Sequence, residues 1–98
     1  MVAEDVISIL RLHRSELERR GVRHAALFGS VAKGSAGPAS DVDVMVDLEP
    51  SANTDVYAFV AIGLFLEDLL HRRVDLSERT RLKPWVRPSA ERDAIHAF

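Results

Sequence analysis

Asp41 and Asp43 stand either side of one valine at the head of the run Asp41-Val42-Asp43-Val44-Met45-Val46-Asp47. In a strand, successive side chains alternate, so Val42, Val44 and Val46 point to one face and Asp41, Asp43 and Asp47 to the other. At about 3.3 Å of rise per residue, the roots of Asp41 and Asp43 emerge about 6.6 Å apart, close enough for both carboxylates to lean onto one hard cation. Magnesium suits such a pair. It takes oxygen ligands, keeps several waters, and is held by one or two carboxylates together with substrate phosphates. The competing reading is a half-buried strand whose solvent face happens to be acidic. Aspartate is depleted from strands, and like charges crowded on one face repel unless something neutralises them; both favour the cation.

Upstream, Gly29-Ser30 closes the apolar segment His24 to Phe28. A strand-turn-helix at this pair presents backbone N–H groups at a helix amino terminus, where they can hold a phosphate oxygen. Gly29 permits close approach, and the Ser30 hydroxyl can donate to the same oxygen or simply cap the helix. Lys33, in the turn after Ser30, is a further candidate for nucleotide contact, with plain solvent exposure as its alternative. Ser40, just before the first aspartate, is another such candidate. The segment is not a Walker loop, because Ser35 and not lysine follows Gly34, and no GxGxxG pattern occurs. Asp75 supplies a third carboxylate, on a strand that can pair beside Asp41 to Asp47; taken alone it is equally a surface residue at a strand end. Together the three acids suggest two-metal catalysis, with in-line displacement at phosphorus. Asp75 would then be a ligand to the second ion or the general base for the attacking hydroxyl.

With 98 residues the chain has room for one domain, 1–98, with one modest core. Its 47% hydrophobic and 29% charged residues exclude disorder. The apolar run Ala58 to Leu66 is interrupted by Gly63 and too short to cross a bilayer. Glu4 and Asp5 stand where a secretory leader would be basic and then apolar, so the expected location is the cytoplasm. The absence of cysteine removes disulfides, zinc-thiolate sites and thiol nucleophiles. A net charge of −2 gives no general attraction to nucleic acid, although the carboxy-terminal third is locally basic. The four histidines lack HExxH spacing, which argues against zinc hydrolysis. Trp85 and Tyr57 read as core or interface residues before adenine platforms.

The elements that must position these groups follow from periodicity and turn chemistry. Val6, Ile9, Leu10, His13 and Leu17 predict a first helix to about Arg20, stopped by Gly21. A strand over His24 to Phe28, a helical turn through Val31 to Lys33, and the small-residue loop Ser35 to Ser40 lead into the acidic strand. A second helix is expected from about Asp55 to His71, with an apolar surface wider than one stripe. Arg73 to Leu76 reads as a third strand and Pro88 to Ala97 as a short final helix. The expected class is α/β (α+β), a small mixed sheet of three or more strands flanked by helices.

The run Leu27 to Gly34, continued through Ser40 to Val46, resembles the signature of the minimal nucleotidyltransferases, the MNT branch of the polymerase-β-like superfamily. Leu66-Glu67-Asp68-Leu69-Leu70, Val74-Asp75-Leu76 and Leu82-Lys83-Pro84 are similar to that branch as well, so the resemblance covers nearly the whole chain. It implies the nucleotidyltransferase fold, with Gly29 and Ser30 on nucleotide phosphates, Asp41 and Asp43 on Mg2+, and Asp75 as the third catalytic carboxylate. It also implies a setting: the antitoxin half of a toxin–antitoxin pair, transferring AMP from ATP to a tyrosine of a HEPN ribonuclease toxin in a hetero-oligomer. No direct nucleic-acid or membrane partner is expected. Ser77 departs from the family's pattern, which favours an apolar residue there, and bears on the length of the third strand. Two alternatives remain: transfer to a small molecule such as an aminoglycoside hydroxyl, and a non-catalytic antitoxin that acts by occlusion. A chain this short has no room for an acceptor-binding domain, so a partner should bring the hydroxyl, with the wide apolar helix as its docking surface.

Overall fold

The computed structural model describes all residues, Met1–Phe98. Its centre is set by two antiparallel strands, β1 (Val22–Phe28) and β2 (Val42–Leu48). The alternation read in β2 holds: Val42, Val44 and Val46 are buried on one face together with Ala25 and Leu27 of β1. Covering this face are α1 (Ala3–Leu12), through Val6, Ile7 and Leu10, α2 (Arg14–Arg19), through Leu17, and α4 (Val56–Leu70), through Ile62, Leu66 and Leu70. The five-residue helix α3 (Gly29–Lys33) follows β1 directly and adds Val31 to the same core.

The third strand, β3 (Val74–Glu78), lies parallel to β2 on the sheet's outer edge. It runs beyond Leu76: Ser77 pairs with Met45 and Glu78 with Val46, so a polar residue at that position does not shorten the strand. On the far side of β1 sits a strand absent from the sequence-based expectation, the two-residue β4 (Ile95–His96), giving a four-stranded sheet in the order β3-β2-β1-β4. The expected final helix is correspondingly shorter: α5 covers Arg87–Asp93, and the remaining residues turn back along β1. The expected first helix is two helices. They meet at His13, whose φ of −102° and ψ of 18° leave the helical range, and whose Nδ1 lies 3.0 Å from the Ile9 carbonyl oxygen. Gly21 ends α2 at a φ of +95°, as its type suggested.

The second helix begins one residue after Asp55, which caps it by accepting the Ala58 N–H at 2.8 Å. One stripe of α4 is buried, while Val56, Tyr57, Val60 and Leu64 remain exposed. Trp85 is also exposed, so neither it nor Tyr57 is a core residue. No helix is long and apolar enough to cross a membrane.

The other sheet face is not left to solvent. Met45, Ala26 and Ala90 form a second small core beneath α5, with Phe28, Leu82 and Ala94 packed around it. Both faces of β1 and β2 are therefore constrained. Leu27→Ala, which empties a fully buried site in a central strand, should cost about 2–5 kcal/mol of stability in urea denaturation. Leu64→Ala, on the exposed stripe of α4, should stay within about 0.5 kcal/mol of the parent.

Candidate active site

Strand register sorts the acidic face into rows. Phe28 pairs with Asp43 and Asp43 with Asp75, so Phe28, Asp43 and Asp75 lie side by side across β1, β2 and β3. The next row on this face holds Ala26, Met45 and Ser77, and the one beyond pairs His24 with Asp47. Asp41 lies one residue before β2, at the end of the strand nearest the Asp43 row. Adjacent strands are about 4.8 Å apart, which sets the Asp43 and Asp75 roots at close quarters.

The four acids of this face have different fates. Asp47 is neutralised: Arg79 Nε donates to its two carboxylate oxygens at 2.9 and 3.2 Å. The same guanidinium reaches Glu91 at 3.2 Å, and Arg87 also bonds Glu91, so these ion pairs tie β2 to α5. None of the chain's ion pairs involves Asp41, Asp43 or Asp75. Partial burial raises the Asp43 carboxyl above its ordinary range, and the negative charges of Asp75 and then Asp41 push it the same way. Three carboxylates thus crowd one end of the face without a cation of the protein's own.

Gly29 leaves room for one of the three, the Asp43 carboxyl. Its φ is +71°, and a Cβ there would fall 2.1 Å from Asp43 Oδ2 and 2.9 Å from Asp43 Cγ. The Asp43 carboxyl therefore lies directly on the bare Gly29 backbone, a coupling that no local pattern announced. Ser30 follows in the first turn of α3, and its carbonyl accepts the Ser35 N–H at 2.9 Å, which fixes the return of the loop. The other two expected nucleotide contacts have partners within the chain. Lys33 Nζ stands 3.6 Å from Asp93 Oδ2 on α5, and Ser40 Oγ accepts the Gly37 N–H at 2.9 Å within its own turn.

No group of three His, Asp or Glu side chains is gathered as a ready-made metal cage. The donor set is instead sparse, hard and anionic, open to solvent at Asp41 and Asp75. That chemistry fits Mg2+, which fills most of its octahedral shell with water and substrate phosphates.

The family model described as the nucleotidyltransferase domain matches residues 10–96. The chain belongs to this family. A protein adenylyltransferase, MntA, from Thermococcus cleftensis is 37% identical over 97 residues, covering 98% of this chain and 96% of the relative. A solved structure described as a minimal nucleotidyltransferase superposes with a TM-score of 0.80 at 33% identity, over 97% of this chain and 95% of the other. A complex of a tri-AMPylated HEPN toxin from Shewanella oneidensis with its MNT antitoxin shares the fold, with a TM-score of 0.59 at 18% identity over 90% of this chain and 71% of that one. The chain is accordingly a nucleotidyltransferase, and its mixed sheet is the minimal form of that fold.

Two substitutions probe this nucleotidyltransferase's acidic row. Because the folded Asp43 holds its proton more tightly than the unfolded one, its favourable contribution is present at acid pH and is lost as pH rises through the folded value. Asp43→Asn should therefore raise the metal-free Tm at neutral pH relative to the parent, with the gap closing on acidification; a lower Tm at neutral pH contradicts the repulsion. Gly29→Ala should cost at least about 1–2 kcal/mol from its left-handed backbone alone. It should also displace the Asp43 carboxyl, visible as a shift of that side chain in a structure of the variant.

Proposed function

We propose that this chain, as a single minimal nucleotidyltransferase domain over 1–98, uses Mg2+ to transfer AMP from ATP to a tyrosine hydroxyl of a HEPN ribonuclease toxin and so acts as its antitoxin. The observation that carries this reading is the unpaired carboxylate row, Asp43 beside Asp75 with Asp41 at the strand's entrance, placed against the Gly29-Ser30 turn. The adenylyltransferase relative and the AMPylated toxin complex support AMP as the transferred group and a toxin as its acceptor.

Asp41 and Asp43 would bind the cation. When bound, magnesium supplies the positive charge that draws in the triphosphate and eases loss of the acceptor's proton. The backbone N–H groups and hydroxyl at Gly29 and Ser30 hold phosphate oxygens. Asp75 sits on the edge strand and is exposed, so an acceptor can approach it from outside the sheet. There it takes the proton from the attacking hydroxyl. The hydroxyl oxygen bonds to the α-phosphorus as the bond to the bridging oxygen breaks, and pyrophosphate leaves. The exposed Val56, Val60 and Leu64 on α4 form an apolar row against which the toxin can dock.

Incubation with α-labelled ATP, Mg2+ and the product of the neighbouring gene, expected to be the toxin, tests this reading. Label should appear on a toxin tyrosine and fall at least about a hundredfold with Asp41→Asn or Asp43→Asn. Protection from toxicity that survives both substitutions, with no label transferred, would show that binding alone neutralises the toxin.

A further inference from the structure

The loop that delivers the chain into Asp41 packs Ala36 against the core, and its Ser40 end is held from outside by the hydrogen bonds of one side chain. Within the loop, the Ser40 N–H donates to the Gly37 carbonyl at 3.2 Å and the Gly37 N–H to Ser40 Oγ at 2.9 Å, so the turn closes on itself. Arg72, in the corner between α4 and β3, donates from Nη2 to the Ser40 carbonyl at 2.9 Å and reaches the Gly37 carbonyl at 3.5 Å. The same corner anchors the residue after Asp41, because the Val42 N–H donates to the Arg73 carbonyl at 2.9 Å. Glu67 of α4 anchors the residue before Asp75, its Oε2 accepting the Val74 N–H at 2.9 Å. Asp41 itself lies outside the sheet ladder, which begins at Val42. Its direction is therefore set by the two peptide groups that flank it, and Arg72 holds the first of them.

We propose that Arg72 is a positioning residue for the cation site: by fixing the Ser40 carbonyl it aims the Asp41 carboxylate at the space shared with Asp43. The inference rests on the proposed role of Asp41 as a cation ligand. The loop it restrains contains Gly34, Gly37 and several exposed small residues, whose backbone freedom is large unless something outside the loop restrains it. Loss of Arg72 therefore releases the Ser40 end of the loop while leaving Ala36 and the buried core in place. A lysine retains one donor for the Ser40 carbonyl but loses the planar fork.

The test is calorimetric titration of the full chain with AMP-PNP across a series of Mg2+ concentrations. Arg72→Ala should raise the Mg2+ needed for half-maximal binding by about tenfold or more, the usual effect of removing a group that orients a metal ligand. Arg72→Lys should recover most of the loss, and Tm should stay near that of the parent. In an Asp41→Ala background Arg72→Ala should cost nothing further, because the two act through one carboxylate. An unchanged Mg2+ requirement in Arg72→Ala, or an equal extra loss on top of Asp41→Ala, overturns the inference while leaving the proposed function standing. If Asp41→Ala alone leaves the requirement unchanged, Asp41 is not a cation ligand and both fall together. Should Arg72→Ala fail to fold, Arg72→Gln, which keeps a donor on a shorter uncharged arm, carries the same comparison.

Discussion

Repulsion among Asp41, Asp43 and Asp75 is the constraint around which the rest is arranged. The contrast with Asp47 shows why it matters. Both Asp43 and Asp47 lie on β2, point to the same face and sit in one acidic run, yet Asp47 is clasped by Arg79 while Asp43 has no counter-charge and a raised carboxyl pKa. Composition does not distinguish them. The difference lies in what the neighbouring strand brings alongside: Asp75 beside Asp43, and the guanidinium of Arg79 beside Asp47. One end of the face is neutralised and welded to α5, and the other is left charged and open.

The apolar side of the sheet is what keeps that division in place. A slip of one residue in β2 would send every valine to the acidic face and every aspartate into the core. The burial of Val42, Val44 and Val46 beneath α1 and α4 therefore fixes the register that brings Asp43 level with Phe28 and Asp75. Met45, packed under Ala90, pins the same register from the opposite face. Gly29 removes a steric conflict that this register would create against Asp43.

Much of this was legible in the chain because it is written in short periods. The alternation in β2, the stop at Gly21 and the presence of a third strand carrying Asp75 all follow from patterns within a few residues. The hidden part depends on contacts between distant residues. β4 has only two residues and exists because the carboxy terminus returns along β1. The ion pair of Arg79 with Asp47 and the bond from Arg72 to Ser40 each span 32 positions. Lys33 and Ser40 lie close in sequence to the glycine-serine turn and the first aspartate, but Asp93 and Gly37 respectively engage their polar atoms. The exposure of Tyr57 was equally unreadable, since helical periodicity says which residues share a face but not which face is covered, and Trp85 lies in a turn where no periodicity applies.

Amide NMR spectra recorded during titration with Mn2+, a paramagnetic stand-in for Mg2+, locate the cation most directly. Line broadening, which falls steeply with distance, should be strongest at Asp41 to Asp43, Asp75 and Gly29 to Ser30, and weaker at His24, Asp47 and Arg79 at the neutralised end of the face. Broadening centred on Asp47 and Glu91, or spread evenly over the surface, would contradict the account.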